Sequence, residues 1–246
     1  MRENCFFVKK EDIIDNKITL SGDEFLHLSK VLRARVGDKV MCFYDQSPFF
    51  ECEVAEITKH FAILSILGKK ECLANPSSNI VLFQALPKLD KLELISQKLT
   101  ELGVNAIQPI KTQFCIAKDN PNKQERLNKI IISACKQCNR TALLKVLPTI
   151  DIKNADFSQY DLVLFANENE DTIAIDTLHD RIKDAQNIAF IVGSEGGFSM
   201  EEIKDLSKKA HSISLGKRIL RTETCAIALA SYISFTKEKR WKKFVY

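Results

Sequence analysis

The chain has 246 residues, which is enough for one large domain or for two smaller ones that each have a core. Its 45% hydrophobic and 28% charged residues are typical of an ordinary soluble protein, and no apolar run is long enough to span a bilayer. The first residues lack the apolar segment of a signal peptide, and the 8 cysteines lie in or beside apolar segments, so we expect reduced thiols and a cytoplasmic location.

The net charge of +4 is modest, but its distribution is uneven. Basic residues outnumber acidic ones over residues 111–153, and the tail over residues 237–243 is strongly basic. Such clusters are typical of phosphate-binding surfaces, although solvated helix faces carry them too. By itself the charge makes only a weak case for nucleic acid.

Residues 1–74 show the pattern of a small β domain. Strands are predicted over 39–45, 49–57 and 61–67, separated by turn residues such as those at 45–48. One amphipathic helix is predicted over 23–36, because apolar residues recur there at helical spacing. Several short strands with one helix predict a small barrel, followed by a linker at 75–78.

From residue 79 onward the pattern becomes an alternation of strands and helices. Strands are predicted at 80–86, 106–110, 162–166, 188–192 and 213–215. Helices are predicted at 89–102, 124–139, 173–184, 200–210 and 222–237. Alternation of this kind predicts an α/β fold, with a parallel sheet and helices on both of its faces.

Two glycine-bearing loops follow strands of this sheet. The strand at 188–192 runs into Gly193-Ser-Glu-Gly-Gly-Phe-Ser199, and the strand at 213–215 runs into Leu215-Gly-Lys-Arg-Ile-Leu-Arg-Thr-Glu-Thr224. Glycine lets a ligand approach the main chain closely, and ligands of open α/β sheets bind at the carboxyl ends of strands. We expect the two strands to be neighbours, so that the loops form a ligand pocket lined by backbone. Two ordinary strand-to-helix turns are the alternative, and the charges of Arg218, Arg221 and Glu223 favour a site.

The sequence lacks the motifs of several common classes of nucleotide-binding and metal-dependent enzymes. The chain has no P-loop, no dinucleotide-binding glycine fingerprint and no HExxH segment. Cys135-x-x-Cys138 is the only CxxC, and no second pair of ligands accompanies it, so we expect these thiols to pack on a helix and expect no metal.

The two loop motifs together resemble the signature of the ribosomal RNA small subunit methyltransferase E (RsmE) family, in the SPOUT superfamily. The resemblance runs almost end to end. It also includes Lys88-x-Asp-Lys-x-Glu93, Gln97-Lys-Leu-Thr-Glu-Leu-Gly-Val104, Gln137, Arg140, Arg2, Phe6-Phe7, His27-x-x-x-Val-Leu-Arg33 and Gly37-Asp38. The chain differs from the family pattern at Cys5, Ser194 and Asn139 and near Lys136.

The resemblance implies a PUA-like β-barrel domain over residues 1–74 and a SPOUT α/β domain with a trefoil knot over residues 75–246. It also implies a homodimer, S-adenosylmethionine as methyl donor, and 3-methyluridine in the decoding region of 16S rRNA as product. Backbone groups of three loops would hold the donor. The residues expected there are Phe165, Ala166, Asn167, Gly193, Ser194, Glu195, Gly196, Gly197, Leu215, Gly216, Arg218, Ile219, Leu220 and Thr224.

Methylation at uridine N3 requires loss of the imide proton, so a base, or cations that stabilise the developing oxyanion, would accelerate it. We expect Arg221 to orient the substrate or stabilise its anion, and Glu223 or Glu195 to be the base. Two structural alternatives stay open, because Glu223 could cap the last helix and Glu195 could brace its own loop.

RNA capture requires cations that face splayed single-stranded RNA, and arginine is well suited because it pairs with phosphate and stacks on bases. The residues expected there are His27, Lys30, Arg33, Arg35, Lys98, Lys136 and Arg140. For Lys98 the alternative is a surface ion pair with Glu101. Two other functions also stay open: a non-catalytic RNA-binding or assembly factor, and a SPOUT enzyme acting on another RNA or on a ribose hydroxyl.

Overall fold

The computed structural model describes residues 4–88, 90–116, 124–170 and 173–238. Arg2, Leu89 and the tail beyond residue 238 therefore lie outside the described residues. The chain divides into two compact units, the first formed by Met1–Asn75 with Cys135–Leu143 and the second by Pro76–Ala134 with Leu144–Tyr246.

The first unit contains a six-stranded sheet. Its strands are β1 (Cys5–Phe7), β2 (Ile13–Ile14), β3 (Lys17–Ser21), β4 (Lys39–Phe43), β5 (Phe49–Ile57) and β6 (Phe61–Lys70). They lie in the order β1-β4-β5-β6-β3-β2, antiparallel except for the β1–β4 pair. Alternate side chains point into one apolar core that includes Phe6, Ile18, Val54 and Leu64, so the prediction of a β-rich segment is confirmed.

The helix of the first unit is shorter than predicted. It comprises α1 (Gly22–Leu26) and a π-helical turn at His27–Val31, after which Arg33 adopts a left-handed conformation with φ of 53°. Phe25 and Leu28 are buried, as the helical spacing predicted, whereas Val31 and Val36 are exposed. The predicted extension of the helix to residue 36 is therefore wrong.

The second unit is an α/β layer structure. Its strands are β7 (Asn79–Ala85), β8 (Ala106–Lys111), β9 (Lys145–Val146), β10 (Ile150–Asp151), β11 (Leu162–Ala166), β12 (Asn187–Val192) and β13 (His211–Ile213). Its helices are α2 (Lys91–Glu101), α3 (Gln124–Cys138), α4 (His179–Asp184), α5 (Met200–Leu206) and α6 (Thr222–Lys237). The last residues of α3, from Cys135 onward, are counted with the first unit.

The sheet of this unit is parallel throughout, in the order β10-β8-β7-β12-β11-β13 with β9 beside β8. Consecutive residues of β12 from Ile188 to Val192 are all buried, which is the expected pattern for a strand covered on both faces. On one face, Phe83 and Phe165 pack with Phe157 and with Leu206 of α5. Helices α2 and α4 both pack against α6, and α6 also contacts β12. The α/β prediction is confirmed.

No described helix combines the length and the apolar character that crossing a bilayer would require.

Candidate functional site

Three loops meet at the carboxyl edge of the parallel sheet, after β11, β12 and β13. Strand β11 lies between β12 and β13, so the prediction that the two glycine loops follow neighbouring strands is wrong. The loop after β11 lies between the two glycine loops. Its Asn167 backbone N–H donates to the Ile213 carbonyl at 3.1 Å, and the Asn167 side-chain amide donates to Ser212 Oγ at 3.2 Å. These bonds fix the loop after β11 against the end of β13.

The loop after β12 is a tight turn. The Gly197 N–H donates to the Ser194 carbonyl at 3.0 Å, and Gly197 has a φ of 66°, which favours glycine. At Gly196 the requirement is space, because a Cβ there would lie 2.8 Å from the Cβ of Phe114. The Gly196 backbone is thus closely approached by the segment after β8.

The loop after β13 is the most open of the three. Gly216 has a φ of 104°, a Cβ added to it would meet no described atom within 4 Å, and Ile219 is 83% exposed. Among the described residues, the backbone N–H groups of Lys217 through Leu220 have no acceptor within the chain. This loop therefore offers free backbone donors at the sheet edge. Phe165 is another residue expected to bind the methyl donor. It can contribute only its main chain, because its ring is buried and packs edge-on against Phe198 with ring centroids 5.1 Å apart.

A buried hydrogen-bond network joins two of these loops and is not predicted by the sequence pattern. The amide of Gln84, near the end of β7, donates to Thr222 Oγ1 at 2.9 Å and to the Gly193 carbonyl at 3.3 Å. Thr222 Oγ1 in turn donates to the same carbonyl at 2.5 Å. Gln84 is fully buried and Thr222 nearly so. The sequence feature that could have indicated this network is Gln84, a single glutamine in the otherwise apolar strand predicted at 80–86, since a buried amide needs hydrogen-bond partners.

Lys91 forms a second connection between the same loops. Its ammonium lies 2.8 Å from Glu195 Oε1 and 3.1 Å from Glu223 Oε2, while the backbone N–H of Lys88 donates to the Glu195 carboxylate. The hydrogen bond with Glu195 raises the pKa of Lys91. Burial favours the neutral form of both carboxyls, but the contacts with Lys91 and with backbone N–H groups outweigh it, so the pKa of Glu195 and of Glu223 is lowered.

These ion pairs bear on the expected base. A carboxylate with a lowered pKa is ionised but is a weaker proton acceptor. Glu195 braces its loop against the start of α2, and Glu223 lies in the first turn of α6, where an acid is favourable. The geometry thus favours the two bracing alternatives over general-base catalysis.

The cluster around Lys91 predicts a pH dependence of stability. The folded-state pKa of each carboxyl is lowered. Each carboxylate therefore stabilises the fold at a pH above its unfolded-state pKa of about 4.3, and this stabilisation is lost as the pH falls through its folded-state pKa. The contribution of Lys91, whose pKa is raised, is lost only in strong alkali. We expect Lys91→Met to flatten the fall in unfolding temperature below about pH 5, as measured by thermal denaturation. Lys98→Met, which breaks an exposed pair on the same helix, is the control; an acid limb of equal steepness in wild type and Lys91→Met would contradict this account.

Arg218 and Arg221 are exposed at this edge, and neither forms an ion pair with the described residues. Arg221 is the N-cap residue of α6, with extended backbone, and its carbonyl accepts from the Cys225 N–H at 2.8 Å. Thr224, in the first turn, is exposed. Arg221 therefore lies where its backbone is fixed and its guanidinium is available.

The residues expected to bind RNA fall into three groups. Lys30, Arg33 and Arg35 are exposed on the first unit, and His27 is half-buried with its ring 5.7 Å from that of Phe6. Lys98 pairs with Glu101 at 2.9 Å, which agrees with the alternative of a surface ion pair.

Lys136 and Arg140 are engaged inside the first unit. Lys136 pairs with Glu24 at 2.8 Å and lies over the Phe6 ring. Arg140 is only 2% exposed, and its Nε donates to the Ala142 carbonyl at 2.5 Å. Burial lowers the pKa of Arg140. The expectation that Arg140 contacts RNA requires correction, because this guanidinium braces the turn after α3 and does not face solvent.

Comparison with known proteins identifies the family. A profile described as an RNA methyltransferase domain matches residues 74–234, and one described as an RNA methyltransferase PUA domain matches residues 20–67. The ribosomal RNA small subunit methyltransferase E of Buchnera aphidicola (subsp. Schizaphis graminum) is 32% identical over 87% of this chain and 89% of its own length. That of Rickettsia conorii is 32% identical over 95% of this chain and 96% of its own. The chain belongs to the RsmE family.

Solved structures agree with this assignment. A ribosomal RNA small subunit methyltransferase E from Neisseria gonorrhoeae, bound to S-adenosyl methionine, is 27% identical and superposes with a TM-score of 0.83 over 95% of this chain and 98% of its own. A methyltransferase of Legionella pneumophila, in complex with the cofactor SAM, is 28% identical with the same TM-score, over 96% of this chain and 98% of its own. The PUA-like first domain predicted for the RsmE chain is confirmed by the second profile, whereas the knot stays a prediction.

Proposed function

We propose that this RsmE chain transfers the methyl group of S-adenosylmethionine to N3 of a uridine in the decoding region of 16S rRNA and produces 3-methyluridine. The family membership supports RNA methylation, and the curated relatives are named for the small-subunit RNA. The observation that carries the proposal is the set of three loops at the sheet edge, one of which has free backbone N–H groups beside an exposed arginine.

The residues present fit the donor. An adenine edge needs backbone donors and acceptors, which the loop at Leu215–Leu220 offers, together with the main chain at 165–167 and the turn at 193–197. We therefore assign donor binding to these three segments. When bound, S-adenosylmethionine supplies an electrophilic methyl group on a sulfonium, which needs no metal. Among the described residues, no group of three or more histidine, cysteine and acidic side chains is placed to hold a metal ion.

Arg221 is the residue assigned to the acceptor. As the imide proton leaves, negative charge develops on the uracil oxygens, and an exposed guanidinium at a fixed backbone position can stabilise it. Glu195 and Glu223 keep the loops in place through Lys91. In this proposal the proton passes to water or to another group of the RNA complex, since both carboxylates are committed to ion pairs.

RNA capture is assigned to the exposed cations of the first unit. We expect Arg33→Ala to weaken RNA binding and to reduce the slope of log affinity against log salt by about one phosphate contact. Filter binding across a salt series measures this. Arg140→Ala is the matched control: its buried guanidinium should affect the unfolding temperature and leave the salt slope unchanged. A wild-type slope for Arg33→Ala would remove Arg33 from the RNA surface.

We also propose a homodimer, as the family resemblance implies. The many apolar residues of α6 predict that this helix packs across a two-fold interface. Leu229 and Ile233 are instead buried within one unit, whereas Phe235 is 60% exposed and Ile227 half-buried. Light scattering should give twice the chain mass of 27.9 kDa. A monomer at micromolar concentration would exclude a site shared by two subunits.

The proposed reaction is tested by nucleoside mass spectrometry of small-subunit RNA from cells with and without the gene. Loss of 3-methyluridine on deletion, restored by the wild-type gene, is the expected result. Loss of a ribose-methylated nucleoside, or of a mark in another RNA, would replace the proposed acceptor. An unchanged set of nucleosides would favour the non-catalytic assembly factor.

A further inference from the structure

The two residues that follow Arg221 are held from two independent directions. Thr222 is held by the buried amide of Gln84 in β7 and by the Gly193 carbonyl. Glu223 is held by Lys91, the first residue of α2, which also holds Glu195. The start of α6 is therefore connected both to the central strand of the sheet and to the turn after β12.

The Thr222 hydroxyl occupies a position that few groups can fill. It accepts a hydrogen bond from Gln84 and donates its single proton to the Gly193 carbonyl, so it acts as acceptor and donor at once. Loss of this hydroxyl would take one hydrogen-bond partner from the Gln84 amide and one from the Gly193 carbonyl. Because Thr222 is buried, water could not replace it. Serine can make the same two bonds, and valine can make neither.

We propose that Gln84, Thr222 and Lys91 are positioning residues that hold the Arg221 guanidinium in register with the turn after β12. The proposal rests on the function proposed above for Arg221 and for that turn. Both connections end within two residues of Arg221, while the guanidinium itself makes no ion pair with the described residues. The network thus fixes the backbone from which this side chain extends. Methyl transfer is sensitive to such alignment, since a displacement of about 1 Å can cost about 100-fold in rate.

The test compares three variants under single-turnover conditions, with saturating donor and RNA. Thr222→Val should slow transfer by about 10-fold or more, whereas Thr222→Ser should remain within about three-fold of wild type. Ser234→Ala is the matched control, because it removes a buried hydroxyl of the same helix that bonds to the Leu102 carbonyl, far from the loops along α6. It should lower the unfolding temperature and leave the rate unchanged. A Thr222→Val enzyme with a lower unfolding temperature but a normal rate would overturn the proposal.

A double-mutant cycle separates positioning from a general structural effect. If Thr222 acts through Arg221, adding Thr222→Val to Arg221→Ala should cause little further loss of rate, about two-fold at most. Equal losses in both backgrounds would show that Thr222 acts independently of Arg221 and would overturn the proposal. If Arg221→Ala itself transfers at the wild-type rate, the role of Arg221 fails and the positioning proposal fails with it.

Hydrogen exchange tests whether the turn at 193–197 and the start of α6 are connected, and it does not require an activity measurement. It therefore distinguishes failure of the positioning proposal from failure of the proposed reaction. Thr222→Val and, separately, Lys91→Met should accelerate amide exchange in both the turn at 193–197 and the segment at 221–225, with Thr222→Ser unchanged. Lys91→Met also serves if Thr222→Val does not fold. Faster exchange at 221–225 alone would show that the two loops are not connected and would overturn the proposal, even if RNA methylation is confirmed.

Discussion

Replacing Arg221 with alanine is expected to lower the single-turnover rate by about 100-fold or more, which is the typical cost of removing one donor to a developing oxyanion. Donor affinity should stay nearly unchanged, because the loops that we assign to the donor hold it through main-chain groups. Calorimetry with S-adenosylmethionine and transfer rates at saturating RNA measure the two quantities separately.

Arg221→Lys distinguishes the geometry of the guanidinium from its charge. We expect this variant to recover little of the rate, because a compact ammonium cannot reproduce the planar fork. A normal rate for Arg221→Ala at saturation would show that this residue only braces the start of α6.

The second large effect is expected at Gly196. In Gly196→Ala the new Cβ would lie 2.8 Å from Phe114 Cβ and 3.2 Å from the Phe114 carbonyl oxygen, so either the turn or the segment after β8 must move. Overpacking of this kind costs about 1–3 kcal/mol, and because the turn belongs to the proposed donor site we expect calorimetry to show about 10-fold weaker donor binding.

Two companion variants make the Gly196 result specific. Phe114→Gly removes the nearest atom and should partly restore binding in the double variant. Gly68→Ala, in the first unit, meets only the end of the Glu51 side chain at 3.1 Å and should bind the donor like the wild type. Unchanged affinity in Gly196→Ala would place the donor away from this turn.

Regular elements with strong patterns could be predicted from the sequence. The bounds of β11 and α6 agree with the prediction, because both are apolar segments flanked by clear polar residues. The helix predicted to residue 36 failed for a local reason: Val31 and Val36 keep helical spacing, but the chain turns at Arg33 with a positive φ, and arginine gives no warning of that conformation.

Sheet order and long-range partners could not be predicted. Nothing in the local pattern shows that β11 lies between β12 and β13, since strand order depends on contacts far apart in the chain. The ion pairs of Lys91 could not be predicted either. In the sequence it resembles any solvated lysine at the start of a helix, and only the fold places Glu195 and Glu223 beside it. Arg140 shows the converse, because a basic segment does not indicate which of its cations is buried.

The most direct test of the proposed function is a reconstituted reaction with purified protein, S-adenosylmethionine carrying a labelled methyl group, and small ribosomal subunits from a strain that lacks the gene. Nucleoside mass spectrometry should show the label in 3-methyluridine of 16S rRNA with the wild-type protein, and about 100-fold slower incorporation with Arg221→Ala. Label in any other nucleoside, or no label despite donor and subunit binding, would contradict the account.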